Sequence, residues 1–97
     1  MTTYRLVPRA LQDLDLIADY SLERWGAEQT RVYIEALFQR FQWLAEHPRL
    51  GQDRSEIRPE LRSFPEGRHF VVYKIADEGI DILAVPHRSM DLENYLD

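Results

Sequence analysis

Two short apolar runs, Phe70–Tyr73 and Ile82–Val85, flank the tripeptide Asp77-Glu78-Gly79. A strand that is apolar on both sides is normally covered on both sides. The intervening tripeptide is a turn signal, because Gly79 can take the positive φ that tight hairpin turns require. Arg68–Arg88 therefore reads as a β-hairpin, ending on a His-Arg pair, at the centre of a sheet. Something large must cover it, and the only other large apolar surface lies in Ala10–His47.

That segment reads as two helices. In Arg9–Trp25, the residues Ala10, Leu14, Ile17, Ala18, Ser21 and Trp25 share one face, which Leu11 and Leu22 widen. Asp13 and Asp15 lie near the positive end of this helix dipole. In Glu28–Glu46, Tyr33, Ile34, Leu37, Phe38, Phe41, Leu44 and Ala45 form a bulky stripe that must be inside. Gly26 and Ala27 leave room only for an antiparallel return. Trp43 lies off the stripe, either packed on the first helix or serving as a partner-binding anchor.

Thr2–Val7 alternates as a short strand before Pro8, which suits the first position of a helix. Arg49–Ser55 reads as a loop, and Ile57–Phe64 as a strand whose Pro59 pushes its start to an edge or bulge. Pro65-Glu66-Gly67 reads as the next turn. The tail after Pro86 fits a short helix capped by Ser89, with Leu92, Tyr95 and Leu96 as its apolar face. The expected fold is α+β over a single domain, residues 1–97. An N-terminal strand and an antiparallel helical hairpin precede the remaining strands. The hairpin packs on one face of a mainly antiparallel, twisted four-stranded sheet, and a short C-terminal helix or tail follows.

Composition narrows the function. A chain of 97 residues suits one small core. A net charge of −5 argues against indiscriminate nucleic-acid binding, so none is expected of this chain alone. No run of about 20 apolar residues suggests a membrane span. The first ten residues lack the apolar core of a signal peptide. With no cysteine, disulfides and thiolate metal sites are excluded, which fits a cytoplasmic location. No phosphate loop, metal-ligand spacing or nucleophile motif is present, so neither cofactor nor metal is expected.

Candidate chemistry concentrates on the hairpin. His69 and His87 occupy opposite ends of it and become neighbours if the strands pair, placing two groups capable of acid–base work side by side. Arg58, Arg62, Arg68, His69, Lys74, His87 and Arg88 gather positive charge on the sheet side of an acidic chain. Three readings compete: an RNA-cleaving site, a docking surface for an acidic partner segment, and an ordinary solvated face interrupted by Glu56, Glu60 and Glu66.

Nearly the whole chain resembles the ParE-type toxins of bacterial type II toxin–antitoxin systems, in the ParE/RelE superfamily. The resemblance runs through A-x-x-DL-x-x-I-x-x-Y at Ala10–Tyr20 and W-G-x-x-Q at Trp25–Gln29. It continues in the helix exit AEHPRLG at Ala45–Gly51 and the closing H-x-x-x-D at His87–Asp91. It implies the fold derived above and a toxin that inhibits DNA gyrase by binding, without covalent chemistry of its own. It further implies neutralisation by a ParD-like antitoxin and a role in plasmid or chromosomal stabilisation.

The alternatives are a RelE-like ribosome-dependent mRNA endonuclease and an inactive relative that only binds antitoxin. A ribonuclease site would draw on Arg62, His69, His87 and Arg88. His69 stands where the RelE pattern has an arginine, the family's terminal tyrosine falls near Tyr95, and the lysine-rich segment before the sheet is missing. These departures favour the ParE branch. On that branch the expected target contacts are His87, Arg88, Met90, Asp91 and Tyr95, within a tail running to Asp97. The expected antitoxin contacts are Arg58, Arg62, Arg68, Lys74 and Trp43. Charge reversal at Arg62 is expected to weaken antitoxin binding more than it lowers thermal stability.

Overall fold

A computed structural model describes residues 2–96. Met1 and Asp97, the ends of the expected domain, lie outside the described residues. The elements are β1 (Thr3–Leu6), α1 (Pro8–Trp25), α2 (Ala27–Glu46), β2 (Gln52–Asp53), β3 (Arg62–Glu66), β4 (His69–Ala76), β5 (Gly79–Ala84) and α3 (Leu92–Tyr95). They form a five-stranded sheet of order β1-β5-β4-β3-β2. β1 runs parallel to β5, and every other pairing is antiparallel.

The double-sided apolar character of β4 and β5 has a direct structural counterpart. Val71, Tyr73, Ile80 and Ile82 pack with Leu14 and Ile17 of α1 and Leu37, Phe41 and Leu44 of α2. Val72 and Ala84 serve a second cluster on the other face, with Leu61, Leu92 and Leu96. The pairing shifts between Val72 and Tyr73, where Val72 meets Ala84 but Tyr73 meets Ile82. Leu83 is the extra residue of this bulge, which changes the facing of the strand beyond it.

Gly26 joins the helices alone. Its φ of 88° is open to glycine, and its N–H closes α1 on the Leu22 carbonyl. The buried stripe of α1 is Ala10, Asp13, Leu14, Ile17 and Ser21. Leu11, Leu22 and Trp25, expected on or beside that face, are exposed, and a carboxylate occupies it instead.

Four other details depart from the sequence reading. The fifth strand, β2, is two polar residues long, too short for any hydrophobic alternation to mark it. The expected strand over Ile57–Phe64 starts only at Arg62. Before it the chain turns, with Glu60 at a φ of 68°, and still delivers Leu61 to the outer cluster. Pro65 and Glu66 belong to the strand, opposite Phe70 and His69. Pro65 lies past the end of β2, where no neighbour requires its missing N–H. Asp91, not Ser89, caps α3, its Oδ1 accepting the Glu93 N–H at 3.1 Å.

Candidate functional site

The site grows from the β3–β4 turn, Gly67-Arg68. Gly67 sits at a φ of 57°, and a Cβ there would lie 2.5 Å from the Tyr33 ring, so a glycine lets α2 approach the turn. The Tyr33 hydroxyl accepts the Arg68 N–H at 2.9 Å and meets His69 Nδ1 at 2.6 Å. Its second possible acceptor, the Glu66 carbonyl, is 3.3 Å away. The single phenolic proton therefore goes to the closer imidazole, which makes Nδ1 the acceptor and leaves the ring proton on Nε2. Burial pushes the Tyr33 pKa up, which keeps the phenol protonated.

The chain continues past β5 in register with this turn. Phe70 N–H bonds to the Pro86 carbonyl at 2.9 Å and Arg88 N–H to the Arg68 carbonyl at 2.8 Å, which brackets a His69–His87 bridge. The two imidazoles lie 5.4 Å apart, edge to face. Burial lowers the His69 pKa to about 4, and the neighbouring His87 and Arg68 act in the same direction against Asp13. His87 Nδ1 accepts the Ser89 N–H at 3.1 Å and lies 2.8 Å from Ser89 Oγ. The Arg68 guanidinium carbon lies over the Trp25 ring at 4.6 Å, and that of Arg88 over Phe70 at 5.6 Å.

Beside this polar end runs a groove of about 1030 Å³ between the helical hairpin and the sheet's end. Leu16, Tyr20, Val32, Ala36, Val85 and Met90 supply apolar lining. Leu16 is 67% exposed, Val32 54% and Met90 48%, an unusual concentration of large apolar groups left in water on a small chain.

Of the expected target contacts, His87, Met90 and Tyr95 line the groove, Arg88 stands beside it, and Asp91 caps α3. Of the expected antitoxin contacts, only Arg68 lines it. Arg58 donates to the Leu96 carbonyl. Arg62 donates to the carbonyls of Arg49 and Gly51 at 3.3 and 2.9 Å. Lys74 lies opposite Asp81, near the far end of β4. Trp43 packs on Phe64 of β3 at 5.2 Å, under Arg40, which is itself paired with Glu66. The basic residues therefore do not make one surface. His69, His87 and Arg88 come together, while Arg62 sits four strand positions away from the turn.

Sequence reasoning missed the helical wall. Leu16 and Tyr20 on α1, and Val32 and Ala36 on α2, are two i,i+4 pairs off the core stripes, and these are the signal that would have found it. Tyr33 was legible only as core. Asp13, which lines the groove and accepts the Val85 N–H, was legible from its charge only as a helix-dipole residue.

Comparison with known proteins adds to this geometry. Residues 4–92 match the family described as the ParE toxin of the type II toxin–antitoxin system parDE. The chain is 38% identical over 96 residues to Toxin ParE1 of Caulobacter vibrioides, covering 99% of each chain. It is 36% identical over 94 residues to Toxin ParE1 of Mycobacterium tuberculosis, covering 96% of each. A chain of the chromosomal ParDE system from P. aeruginosa shares the fold, with a TM-score of 0.75 at 19% identity over 90% of this chain and 96% of that one. The protein thus belongs to the ParE family of toxins of type II ParDE toxin–antitoxin systems.

Proposed function

We propose that this toxin acts by binding, and that a ParD-like antitoxin neutralises it by laying an apolar segment into the groove. The observation that carries this reading is the exposed Leu16–Val32–Met90 lining, bordered by Arg68 and His87 and walled by the C-terminal tail. An amphipathic segment buries such a stripe well, at roughly 25 cal/mol per Å² of apolar surface removed from water. The proposed target is DNA gyrase, engaged through the tail residues His87, Arg88, Met90, Asp91 and Tyr95. His87, Met90 and Tyr95 line the groove, so an occupant covers part of the target-binding surface. Both partners are encountered in the cytoplasm.

A second reading, mRNA cleavage, draws on the adjacency of His69, His87 and Arg88. Against it stands Arg62, which is engaged elsewhere. A gyrase supercoiling assay with antitoxin-free protein, run beside a coupled translation assay, separates the readings. Loss of supercoiling with intact mRNA supports the binder. Intact supercoiling with cut mRNA replaces it with the ribonuclease. Activity in neither leaves an antitoxin-binding relative without toxicity.

A further inference from the structure

The polar end of the groove is rich in donors. Both imidazoles have Nδ1 occupied, His69 by the Tyr33 hydroxyl and His87 by the Ser89 N–H. A neutral ring with an engaged Nδ1 acceptor presents Nε2–H as its remaining polar group. The Arg68 guanidinium, 4.6 Å from the centre of the Trp25 ring, adds a planar set of N–H donors. The acids nearby are largely committed. Asp13 accepts from Val85 N–H and the Tyr95 hydroxyl, and Glu28 pairs with Arg31 at 2.7 Å.

We propose that Arg68, His69 and His87 form a carboxylate-binding site at the end of the groove, which takes an Asp or Glu side chain of the antitoxin segment. The inference rests on the reading that the antitoxin fills the groove. A carboxylate fits the donor set: one planar acceptor of single negative charge meets one guanidinium and two neutral N–H groups. Asp13 and Glu28 line the same groove, and these acidic side chains oppose a doubly charged phosphate more than a singly charged carboxylate. The apolar lining supplies area, and the carboxylate sets the register of the segment along it.

The test uses the toxin with its cognate antitoxin. Each Asp and Glu of the toxin-binding segment is changed singly to Asn or Gln. Each is then titrated against wild-type toxin, Arg68→Gln, His87→Gln and Val32→Glu, with folding checked by circular dichroism. The expected result is one acidic position whose loss weakens binding tenfold or more against wild type and less than threefold against Arg68→Gln, with coupling of the same sign to His87→Gln. If no acidic position couples to either residue while Val32→Glu abolishes the complex, the carboxylate site is overturned and the groove reading stands. If Val32→Glu leaves affinity unchanged, both are overturned. Should Arg68→Gln fail to fold, the coupling to His87→Gln alone decides.

Discussion

The Tyr95 hydroxyl donates to Asp13 Oδ1 at 2.6 Å, while the Val85 N–H donates to Oδ2 of the same carboxylate at 2.8 Å. One side chain on α1 thereby fixes both the exit from β5 and the end of the tail, 82 residues further along the chain. Arg9 reinforces the attachment, lying 4.4 Å above the Tyr95 ring and donating to the Tyr95 carbonyl. Burial and then the Asp13 bond raise the Tyr95 pKa, so the phenol stays a donor. The tail is therefore a docked part of the fold, and its presentation depends on a carboxylate inside the core stripe.

Asp13→Ala should cost about 1–3 kcal/mol, because it leaves the buried Val85 N–H without an acceptor. Tyr95→Phe should cost less, about 1 kcal/mol, since the Val85 bond survives. Urea denaturation measures both. Limited proteolysis adds a second readout, in which Tyr95→Phe accelerates cleavage after Arg88 by more than its loss of global stability accounts for. Equal, small effects of the two substitutions would show that the carboxylate is not the anchor.

Gly79→Ala should be far more damaging than Gly26→Ala, although both glycines have positive φ. At Gly79 the φ is 151° and a Cβ would stand 1.6 Å from the Thr3 carbonyl oxygen, a backbone atom of the paired strand β1. At Gly26 the φ is 88° and the space is open. Gly26→Ala should cost only the local strain, about 1–2 kcal/mol. Gly79→Ala adds the loss of β1 pairing and should exceed about 3 kcal/mol. Hydrogen exchange should show the amides of β1 losing protection first.

What the sequence made legible follows the range of its signals. The runs Phe70–Tyr73 and Ile82–Val85 required cover on both faces, and both faces are covered. The helices were legible because periodic bulk extends over many turns. The Ile57–Leu61 segment misled because Ile57 and Leu61 do turn inward, but by way of a turn rather than a strand. The tail residues His87, Met90 and Tyr95 stand out in the sequence by their place after the last strand, and the structure puts all three along the groove. The helical wall does not stand out in this way, because the pairs Leu16/Tyr20 and Val32/Ala36 mark an apolar flank on each helix, yet no local pattern says that the two flanks line one groove. Nor does any local pattern pair Asp13 with Tyr95.

The pH dependence of stability should carry a signature of His69. Its pKa is 6.5 ordinarily and about 4 in the fold, so the unfolded chain takes up its proton first as pH falls. Stability from this group is full above pH 6.5, declines between about 6.5 and 4, and is flat below. At about 1.36 kcal/mol per pH unit, the full displacement bounds the loss near 3 kcal/mol. Water still reaches the half-buried ring, so about 1–2 kcal/mol is expected. Tyr33, His87 and Arg68 face the ring and Asp13 opposes its neutral form. His69→Gln should flatten the stability–pH curve over that window by this amount, and parallel curves would refute the assignment.

Arg62 and Met90 should separate folding from binding. The Arg62 guanidinium holds the loop after α2 through the carbonyls of Arg49 and Gly51. The same loop is held from below by Tyr73, whose hydroxyl donates to the Pro48 carbonyl and accepts the Gly51 N–H. Arg62→Glu replaces a donor fork with a carboxylate facing carbonyl oxygens. It should cost about 1–2 kcal/mol, a fall in Tm of about 5–10 °C. These bonds predict a clear loss of stability, whereas an antitoxin contact at Arg62 predicts the larger effect on binding, and measuring both decides between them. Met90 is 48% exposed on the groove wall. Met90→Glu should leave stability within about 0.5 kcal/mol, yet lower both antitoxin affinity and supercoiling inhibition at least tenfold. Thermal melts beside binding and supercoiling assays read out both variants. A Met90→Glu toxin that keeps full activity and affinity would remove the tail from the functional surface.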